Sequence, residues 1–241
     1  MKIDVLGVEF DDIFIDDAAS LISHKISERE KCYIVTPNPE IVWMCRKNPS
    51  LEKAVSTAGL VLADGVGITI GAKILGTPFK NGRVPGIDFI AALFKEMAKS
   101  QGRVYLLGAK PGVADIAGEK LSKLYPGIII AGTGDGYFSD DALVIEKINN
   151  ANADILLVCL GAPKQELWMA QNLEKLNVPV CAGLGGSLDV FAGNVKRAPV
   201  IFRKLGLEWL YRIASDPKRI KRSVVLPLFI LRVIVKRIIG R

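Results

Sequence analysis

The chain has 241 residues, of which half are hydrophobic and about a quarter are charged, a composition that is ordinary for a soluble globular protein. This length suits one α/β domain, or one domain with an appendage. The only histidine is His24, which argues against a zinc site or a histidine-based catalytic triad. The N-terminus has no apolar run behind a basic start, so no signal peptide is predicted.

The four cysteines are Cys32, Cys45, Cys159 and Cys181, and no two of them have a Cys-x-x-Cys spacing. Three of them lie in or beside apolar, strand-like runs. We therefore expect buried, reduced thiols, as in a cytoplasmic protein.

Positive charge is concentrated near the C-terminus. The chain carries a net charge of +7, yet residues 196–241 contain 13 Lys or Arg residues and only two acids, Glu208 and Asp216. This segment therefore has a net charge of +11, and the preceding residues carry −4. Any polyanion is expected to be met through the C-terminal segment.

Apolar runs with strand character alternate with amphipathic helical patterns along most of the chain. The predicted strands cover residues 2–5, 32–35, 60–62, 104–107, 128–131, 155–160 and 178–182. The predicted helices cover residues 17–25, 39–46, 86–99, 113–124, 142–150 and 164–173. Almost wholly apolar strands separated by helices indicate a parallel sheet covered on both faces, so we predict a Rossmann-like α/β fold.

The last fifth of the chain has a different pattern. Residues 201–222 have a helical pattern rich in Arg and Lys, and an apolar stretch follows, interrupted by Arg232 and Lys236. The uncharged apolar part is far shorter than the roughly 20 residues that span a bilayer. We predict an α/β catalytic domain over residues 1–195 and a basic amphipathic appendage over 196–241 that docks on an anionic membrane surface.

Glycine, proline and small polar residues follow most of the predicted strands. They stand at residues 36–40 (TPNPE), 64–67 (DGVG), 108–112 (GAKPG), 132–136 (GTGDG), 161–166 (GAPKQE) and 183–187 (GLGGS). The carboxyl ends of parallel strands share one edge of a sheet, where doubly wound proteins bind nucleotides and phosphates. The chain has neither a GxGxxG fingerprint nor a P-loop, which argues against P-loop NTPase chemistry.

Asp64 ends an apolar run and is followed by Gly65 and Gly67. At the rim of a sheet this carboxylate would face a ligand; the alternative is that it caps the next helix. Asn38, held between two prolines, has the same two interpretations.

Several cationic and polar residues are candidates for binding phosphate. Lys164 and Gln165 open a helix where a lysine is electrostatically unfavourable, which indicates a ligand, although a solvated lysine is the alternative. Arg83 lies on a glycine-rich loop and suits a diphosphate, although a surface arginine needs no function. Arg212 and two later arginines have near-helical spacing, so one helix face is expected to meet either a diphosphate or lipid headgroups.

Together these motifs resemble the WecG/TagA/CpsF family of bacterial glycosyltransferases, and most closely its TagA branch. The matching segments, in chain order, are residues 36–40, 63–67, 83–88 (RVPGID), 161–166 and 183–190 (GLGGSLDV). The resemblance implies an inverting, metal-independent transfer of N-acetylmannosamine from UDP to the 4-hydroxyl of N-acetylglucosamine on undecaprenyl diphosphate. The product would be the β-1,4-linked lipid of wall teichoic acid synthesis, made without a cofactor at the cytoplasmic face of the membrane.

The resemblance also implies roles for individual residues. Asp64 is expected to be the general base, with Thr36 close to it. The candidate substrate-binding residues are Asn38, Arg83, Lys164, Gln165, Gly185, Gly186, Asp189, Arg212, Arg219 and Arg222. The chain lacks a DxD motif, so we expect cations and N–H groups, not a metal, to stabilise the departing UDP.

Other functions remain open at this point. One is a related transferase that uses another UDP-sugar, such as N-acetylmannosaminuronic acid or a hexose; others are a non-enzymatic nucleotide- or polyanion-binding protein and an NAD-dependent oxidoreductase. Nucleic acid is not expected as a partner, because residues 224–239 offer membrane contact and few stacking platforms. The oligomeric state is also open, since the apolar residues Ile201, Phe202, Leu205 and Trp209 suit packing on the body or on a second subunit.

Overall fold

A computed structural model describes residues 1–215 and 224–240, without the side chains of Lys204, Arg212 and Ser215. In this part of the chain six strands form a parallel sheet and two form a separate hairpin. The hairpin pairs β1 (Lys2–Val5) with β2 (Val8–Asp11). The sheet contains β3 (Cys32–Val35), β4 (Leu60–Val61), β5 (Arg103–Gly108), β6 (Ile129–Gly134), β7 (Ile155–Cys159) and β8 (Val180–Gly183). Their spatial order is β4-β3-β8-β7-β5-β6.

Helices precede, connect and follow the strands. The longer ones are α1 (Ile15–Ser27), α2 (Pro39–Cys45), α3 (Pro49–Ser56), α4 (Val66–Leu75), α5 (Gly86–Met97), α6 (Val113–Leu124), α7 (Asp141–Asn150) and α8 (Lys164–Asn172). The remaining ones are α9 (Ser187–Phe191), α10 (Val200–Lys204), α11 (Glu208–Ser215) and α12 (Val225–Ile239), with short 3-10 turns at Ala98–Ser100 and Leu173–Lys175. The predicted α/β fold with a parallel sheet is confirmed.

The first predicted strand does not join the parallel sheet. Leu6 and Gly7 both have positive φ, 57° and 92°, which is the backbone of a tight two-residue hairpin turn. The chain therefore reverses at once, and β1 pairs with β2 instead of with the main sheet.

Two hydrophobic cores fill the two faces of the sheet. Along β5, Leu106 points into one core and Leu107 into the other, as the alternation of side chains along a strand requires. The first core is covered by α1, α5, α6 and α9, and the second by α2, α3, α4, α7, α8 and α12 together with the hairpin. The sheet is thus covered on both faces, as predicted from its apolar strands.

The chain changes winding direction between two adjacent strands. It leaves β5 for the outer strand β6, and it leaves β7 in the opposite direction for β8. The loops that follow β5 and β7 therefore diverge, which opens a crevice at the carboxyl edge of the sheet.

The predicted helix over residues 201–222 is interrupted. Helix α10 ends before Gly206, whose φ is +72°, and α11 begins at Glu208. A Cβ on Gly206 would lie 2.8 Å from Val66 Cγ2, so only glycine lets the chain turn this close to the start of α4. Residues 216–222 of the predicted helix lie outside the described residues.

Helix α12 packs on α4 and α2. Phe229 and Val233 are fully buried in the core, and Phe229 reaches within 3.1 Å of the position of a Cβ on Gly71. The charged end of the helix is also held, because Lys236 Nζ lies 2.9 Å from Asp4 Oδ1 and Arg237 Nη1 donates to Leu75 O. Within the described ranges, no helix combines the length and apolar character needed to cross a bilayer.

Candidate active site

The two residues expected to act in catalysis follow neighbouring strands. Strands β3 and β4 are paired in parallel, with Val35 opposite Val61, so Thr36 and Asp64 leave the sheet at the same edge. The Asp64 N–H donates to Pro37 O over 3.3 Å, which links the two turns. Asp64 itself is half-buried. The sheet topology therefore brings these residues to adjacent strand ends, although they stand far apart in sequence.

Gly65 and Gly67, which follow Asp64, allow a backbone turn and close packing that other residues would prevent. Helix α4 has Gly65 at its N-cap position, with φ +89°, so the N-cap position is not occupied by Asp64. A Cβ on Gly67 would lie 2.6 Å from Pro39 Cγ and 2.7 Å from Leu226 Cδ1. The first turn of α4 is therefore pressed against α2 and α12, which fixes the turn that carries Asp64.

Thr36 joins β3 to the end of β8. Its side chain is 8% exposed, and its Oγ1 donates to Gly183 O over 3.2 Å. A Cβ on Gly86, at the start of α5, would lie 3.1 Å from both Thr36 Cγ2 and Leu184 Cδ2. Thr36 is thus held in a close-packed position between three elements.

Gln165 supports the glycine turn that follows β8, residues 183–187. It is 3% exposed, and its Oε1 accepts a hydrogen bond from the Gly185 N–H over 2.9 Å. Its Nε2 donates to Glu166 Oε1 over 2.8 Å. Gln165 lies buried behind the glycine turn; its contact with substrate stays a prediction.

Glu166 is the acidic partner of this amide and is completely buried. Burial raises the pKa of its carboxyl above the ordinary value, and the hydrogen bond from Gln165 opposes that rise. Sequence reasoning did not single out Glu166, because an acid in the first turn of a helix already has a sufficient explanation in the helix dipole. Only the fold shows that this acid points inward.

Lys164 and Asn38 both have contacts within the protein. Lys164 Nζ donates to Gly136 O over 3.1 Å and lies 4.7 Å from the centre of the Phe138 ring, so it connects the turns after β7 and β6. Asn38 Oδ1 accepts from the backbone N–H of the second and third residues of α2, over 2.9 and 3.1 Å. Asn38 therefore caps α2, and substrate contact by either residue stays a prediction.

The loop with Arg83 holds the start of the basic segment. Arg83 Nη2 donates to Arg203 O over 2.7 Å, and Arg197 Nη2 lies 2.6 Å from Asp88 Oδ1. These contacts place α10 beside the loop of residues 83–88 and near the first turn of α4. Arg83 thus faces the C-terminal segment, and its contact with a diphosphate is untested.

The structure describes some of the other predicted binding residues and not the rest. Gly185 has φ +54°, Gly186 is exposed, and Asp189 is half-buried on α9 with Oδ1 accepting from Asn194 Nδ2 over 3.4 Å. The side chain of Arg212, and Arg219 and Arg222 altogether, lie outside the described residues.

No cluster of three or more His, Cys, Asp or Glu side chains that would hold a metal ion occurs among the residues described. The carboxyl edge instead gathers backbone N–H groups, cationic side chains and half-buried carboxylates, Asp64 among them. Such a set can bind an anionic leaving group and accept a proton.

The model of the Glycosyl transferase WecG/TagA/CpsF family matches residues 3–241. The chain belongs to this family of glycosyltransferases. Three relatives share the name N-acetylglucosaminyldiphosphoundecaprenol N-acetyl-beta-D-mannosaminyltransferase. The protein of Bacillus spizizenii strain W23 is 36% identical, with 92% of this chain and 88% of the relative covered. The protein of Bacillus subtilis strain 168 is 37% identical, with 89% and 83% covered, and that of Staphylococcus aureus strain MW2 is 35% identical, with 96% and 92% covered.

The WecG/TagA/CpsF assignment covers both the α/β body and the C-terminal helices, since the match extends to the last residue. The resemblance first noted from five short motifs is thereby confirmed. As a member of this family the chain is a glycosyltransferase, and its carboxyl-edge crevice is the candidate active site.

Proposed function

We propose that this enzyme transfers N-acetylmannosamine from UDP-N-acetylmannosamine to the 4-hydroxyl of N-acetylglucosamine carried on undecaprenyl diphosphate. The shared name of relatives at 35–37% identity supports the reaction. The product is the β-1,4-linked disaccharide lipid from which the linkage unit of wall teichoic acid is built.

The observation that carries the mechanism is the position of Asp64, half-buried at the carboxyl edge beside the turn of Thr36. In a single displacement, the Asp64 carboxylate takes the proton of the acceptor 4-hydroxyl as that oxygen bonds to C1 of the donor sugar. The bond from C1 to the UDP oxygen breaks, and UDP leaves with the electron pair. The configuration at C1 is inverted, and general-base catalysis of this kind contributes about 10²- to 10⁴-fold.

The leaving UDP needs compensation for its negative charge. Helices α4, α6 and α8 begin at the carboxyl edge of the sheet and direct their N-terminal N–H groups towards it, where anions are stabilised. Arg83, Lys164, the glycine turn and the arginines of the C-terminal segment add donors and positive charge. This set supports a reaction in which protein groups take the part that Mg²⁺ plays in metal-dependent transferases.

A lipid-linked acceptor requires the site to be close to a membrane. Exposed apolar side chains stand on α10, where Ile201 is 63% exposed, and directly after it, where Leu205 is 65% exposed. On the outer side of α12, Leu231 is 58% exposed. Together with the basic charge of residues 196–241 they suit peripheral docking on an anionic leaflet. Since UDP-sugars are cytoplasmic, we assign the enzyme to the cytoplasmic face.

Turnover with UDP-N-acetylmannosamine and a short-chain lipid-linked N-acetylglucosamine tests this proposal. We expect release of UDP together with a disaccharide lipid, and no product with UDP-glucose. Transfer of a different sugar from UDP would correct the donor, and the absence of transfer from every UDP-sugar would contradict the reaction.

The same assay tests the proposed independence of metal. We expect the rate to be unchanged after treatment with EDTA, because the charge of UDP is met by protein groups. A rate that falls to background and returns with Mg²⁺ would contradict this part of the proposal.

A further inference from the structure

The buried carboxyl of Glu166 has no role in the proposed displacement, although burying it is costly. It is fully inaccessible to solvent, and a buried carboxyl without compensation is strongly unfavourable. Among the residues described, Glu166 Oε2 has no hydrogen-bond partner, and Glu166 takes part in no ion pair. Its only side-chain partner there is the amide of Gln165.

The hydrogen bonds fix the orientation of that amide. The Gly185 N–H can only donate, so the atom of Gln165 that faces it over 2.9 Å is the oxygen. The amide nitrogen then points towards Glu166 Oε1, which accepts over 2.8 Å. Without an acceptor at position 166, a buried N–H donor would be left unpaired.

The amide in turn supports the end of β8. Gln165 Nε2 lies 3.1 Å from the position that a Cβ on Gly183 would occupy, so the amide rests directly against the backbone there. Gly183 O accepts from Thr36 Oγ1, and Gly185 has a positive φ. The Gln165 side chain therefore restrains the turn between Gly183, which Thr36 contacts, and the exposed Gly186.

We propose that Glu166 is a positioning residue, whose carboxyl orients the Gln165 amide and thereby holds the glycine turn of residues 183–187 in the shape that receives the diphosphate of the donor. This proposal rests on the proposed function for the identity of the ligand. In this role the carboxyl accepts the hydrogen bond of the Gln165 amide and touches no substrate. Its amide analogue, glutamine, is therefore an adequate replacement.

Glu166→Met tests the proposal because methionine keeps most of the volume and its thioether is only a weak acceptor for the amide N–H. We expect hydrogen exchange of the Gly185 amide to rise by about tenfold or more. We also expect the affinity for UDP to fall by roughly ten- to a hundredfold, the effect of leaving one buried donor unpaired. Glu166→Gln should stay within about threefold of wild type in both measurements, since it restores the acceptor.

Asn172→Ala is the matched control, because Asn172 is 2% exposed on the same helix and bonds Trp168 O away from the glycine turn. It should lower thermal stability while leaving Gly185 exchange and UDP affinity unchanged. If Glu166→Met does not fold, Glu166→Leu also removes the acceptor at position 166 and should give the same rise in exchange.

Hydrogen exchange at Gly185 is measured without substrate. The experiment therefore tests the positioning role of Glu166 separately from the identity of the donor. Wild-type exchange and UDP affinity in Glu166→Met would overturn the positioning role alone, as would a Glu166→Gln variant that behaves like Glu166→Met. A wild-type protein that binds no UDP, with exchange at Gly185 still raised in Glu166→Met, would overturn the donor and leave Glu166 as a support of the turn.

Discussion

At the residue scale, the small residues that follow Asp64 shape the backbone turn that carries it. Gly65 has the positive φ that directs the chain into α4, and Gly67 lets Pro39 approach the helix. The carboxylate is thereby carried by a turn whose backbone is constrained on both sides. This constraint suits the role proposed for Asp64, because a group held in place loses less entropy on reaching the transition state.

Replacement of Asp64 by asparagine tests its role as the base. Asp64→Asn has nearly the same shape but cannot take a proton, so we expect kcat to fall by about 10²- to 10⁴-fold while UDP still binds. Steady-state kinetics and calorimetry with UDP measure the two effects. Asp140→Asn is the control, because Asp140 caps α7 and asparagine caps equally well; turnover of Asp64→Asn at the wild-type rate would exclude Asp64 as the base.

The thiols give a second prediction at this scale. All four cysteines are free and buried, as expected from the sequence, and burial raises the pKa of Cys32 to about 11 and those of Cys45 and Cys159 to about 12. Very little thiolate is therefore present at pH 8. We expect the folded protein to react with a thiol reagent at least about a hundredfold more slowly than the unfolded chain. All four thiols should react in the unfolded chain. A rapid reaction of one thiol in the native state would contradict the burial.

At the element scale, α12 is part of the core although its sequence looks like that of a surface helix. The helix carries Arg232 and Lys236 between apolar residues, and both packing on protein and lying on lipid give this amphipathic pattern. The structure assigns Phe229 and Val233 to the inner side and leaves Leu231 and Ile238 exposed. Gly71 on α4 provides the space for this contact.

Phe229→Ala tests the docking of α12. The ring is fully buried, so we expect the free energy of unfolding to fall by about 3–5 kcal/mol, measured by denaturant unfolding. Leu231→Ala, on the exposed side of the same helix, should change it by less than about 0.5 kcal/mol. Equal effects of the two substitutions would contradict the packing of α12 on α4.

At the scale of the whole molecule, the C-terminal segment combines a structural part with an exposed one. Removal of residues 196–241 would also remove Phe229 and Val233 from the core, so loss of membrane binding by a truncated chain would have two explanations. Substitutions at Ile201 in α10 and at Leu205 directly after it distinguish these two explanations, because both residues are more than 60% exposed.

The double variant Ile201→Asp and Leu205→Asp is therefore expected to keep its thermal stability and lose most of its binding to anionic vesicles, as measured by co-sedimentation. Both apolar contact and charge attraction weaken, and each unit of charge near such a surface counts for about 1 kcal/mol. Leu143→Asp, at a similarly exposed position on α7, should bind like wild type. Vesicle binding unchanged in the double variant would contradict docking through α10 and the residue that follows it.

The sequence predicted the parts of the fold that depend on local pattern. Apolar strands such as residues 104–107 and helices such as residues 113–124 lie where periodicity placed them. It did not predict β2, α3 or α4, because short segments with mixed patterns are decided by packing instead of periodicity. The prediction of a helix over residues 201–222 was wrong at Gly206, where close contact with Val66 requires a turn.

By itself, the sequence determined the fold class, the enzyme family and the edge of the sheet at which polar turns gather, since all of these follow from periodicity and short motifs. The tertiary structure alone decided that Thr36 and Asp64 share adjacent strand ends, that Glu166 and Gln165 support the glycine turn from behind, and that α12 belongs to the core. The physical reason is that burial and hydrogen bonding of these side chains depend on residues distant in sequence. A local sequence pattern therefore does not reveal which residues these side chains contact.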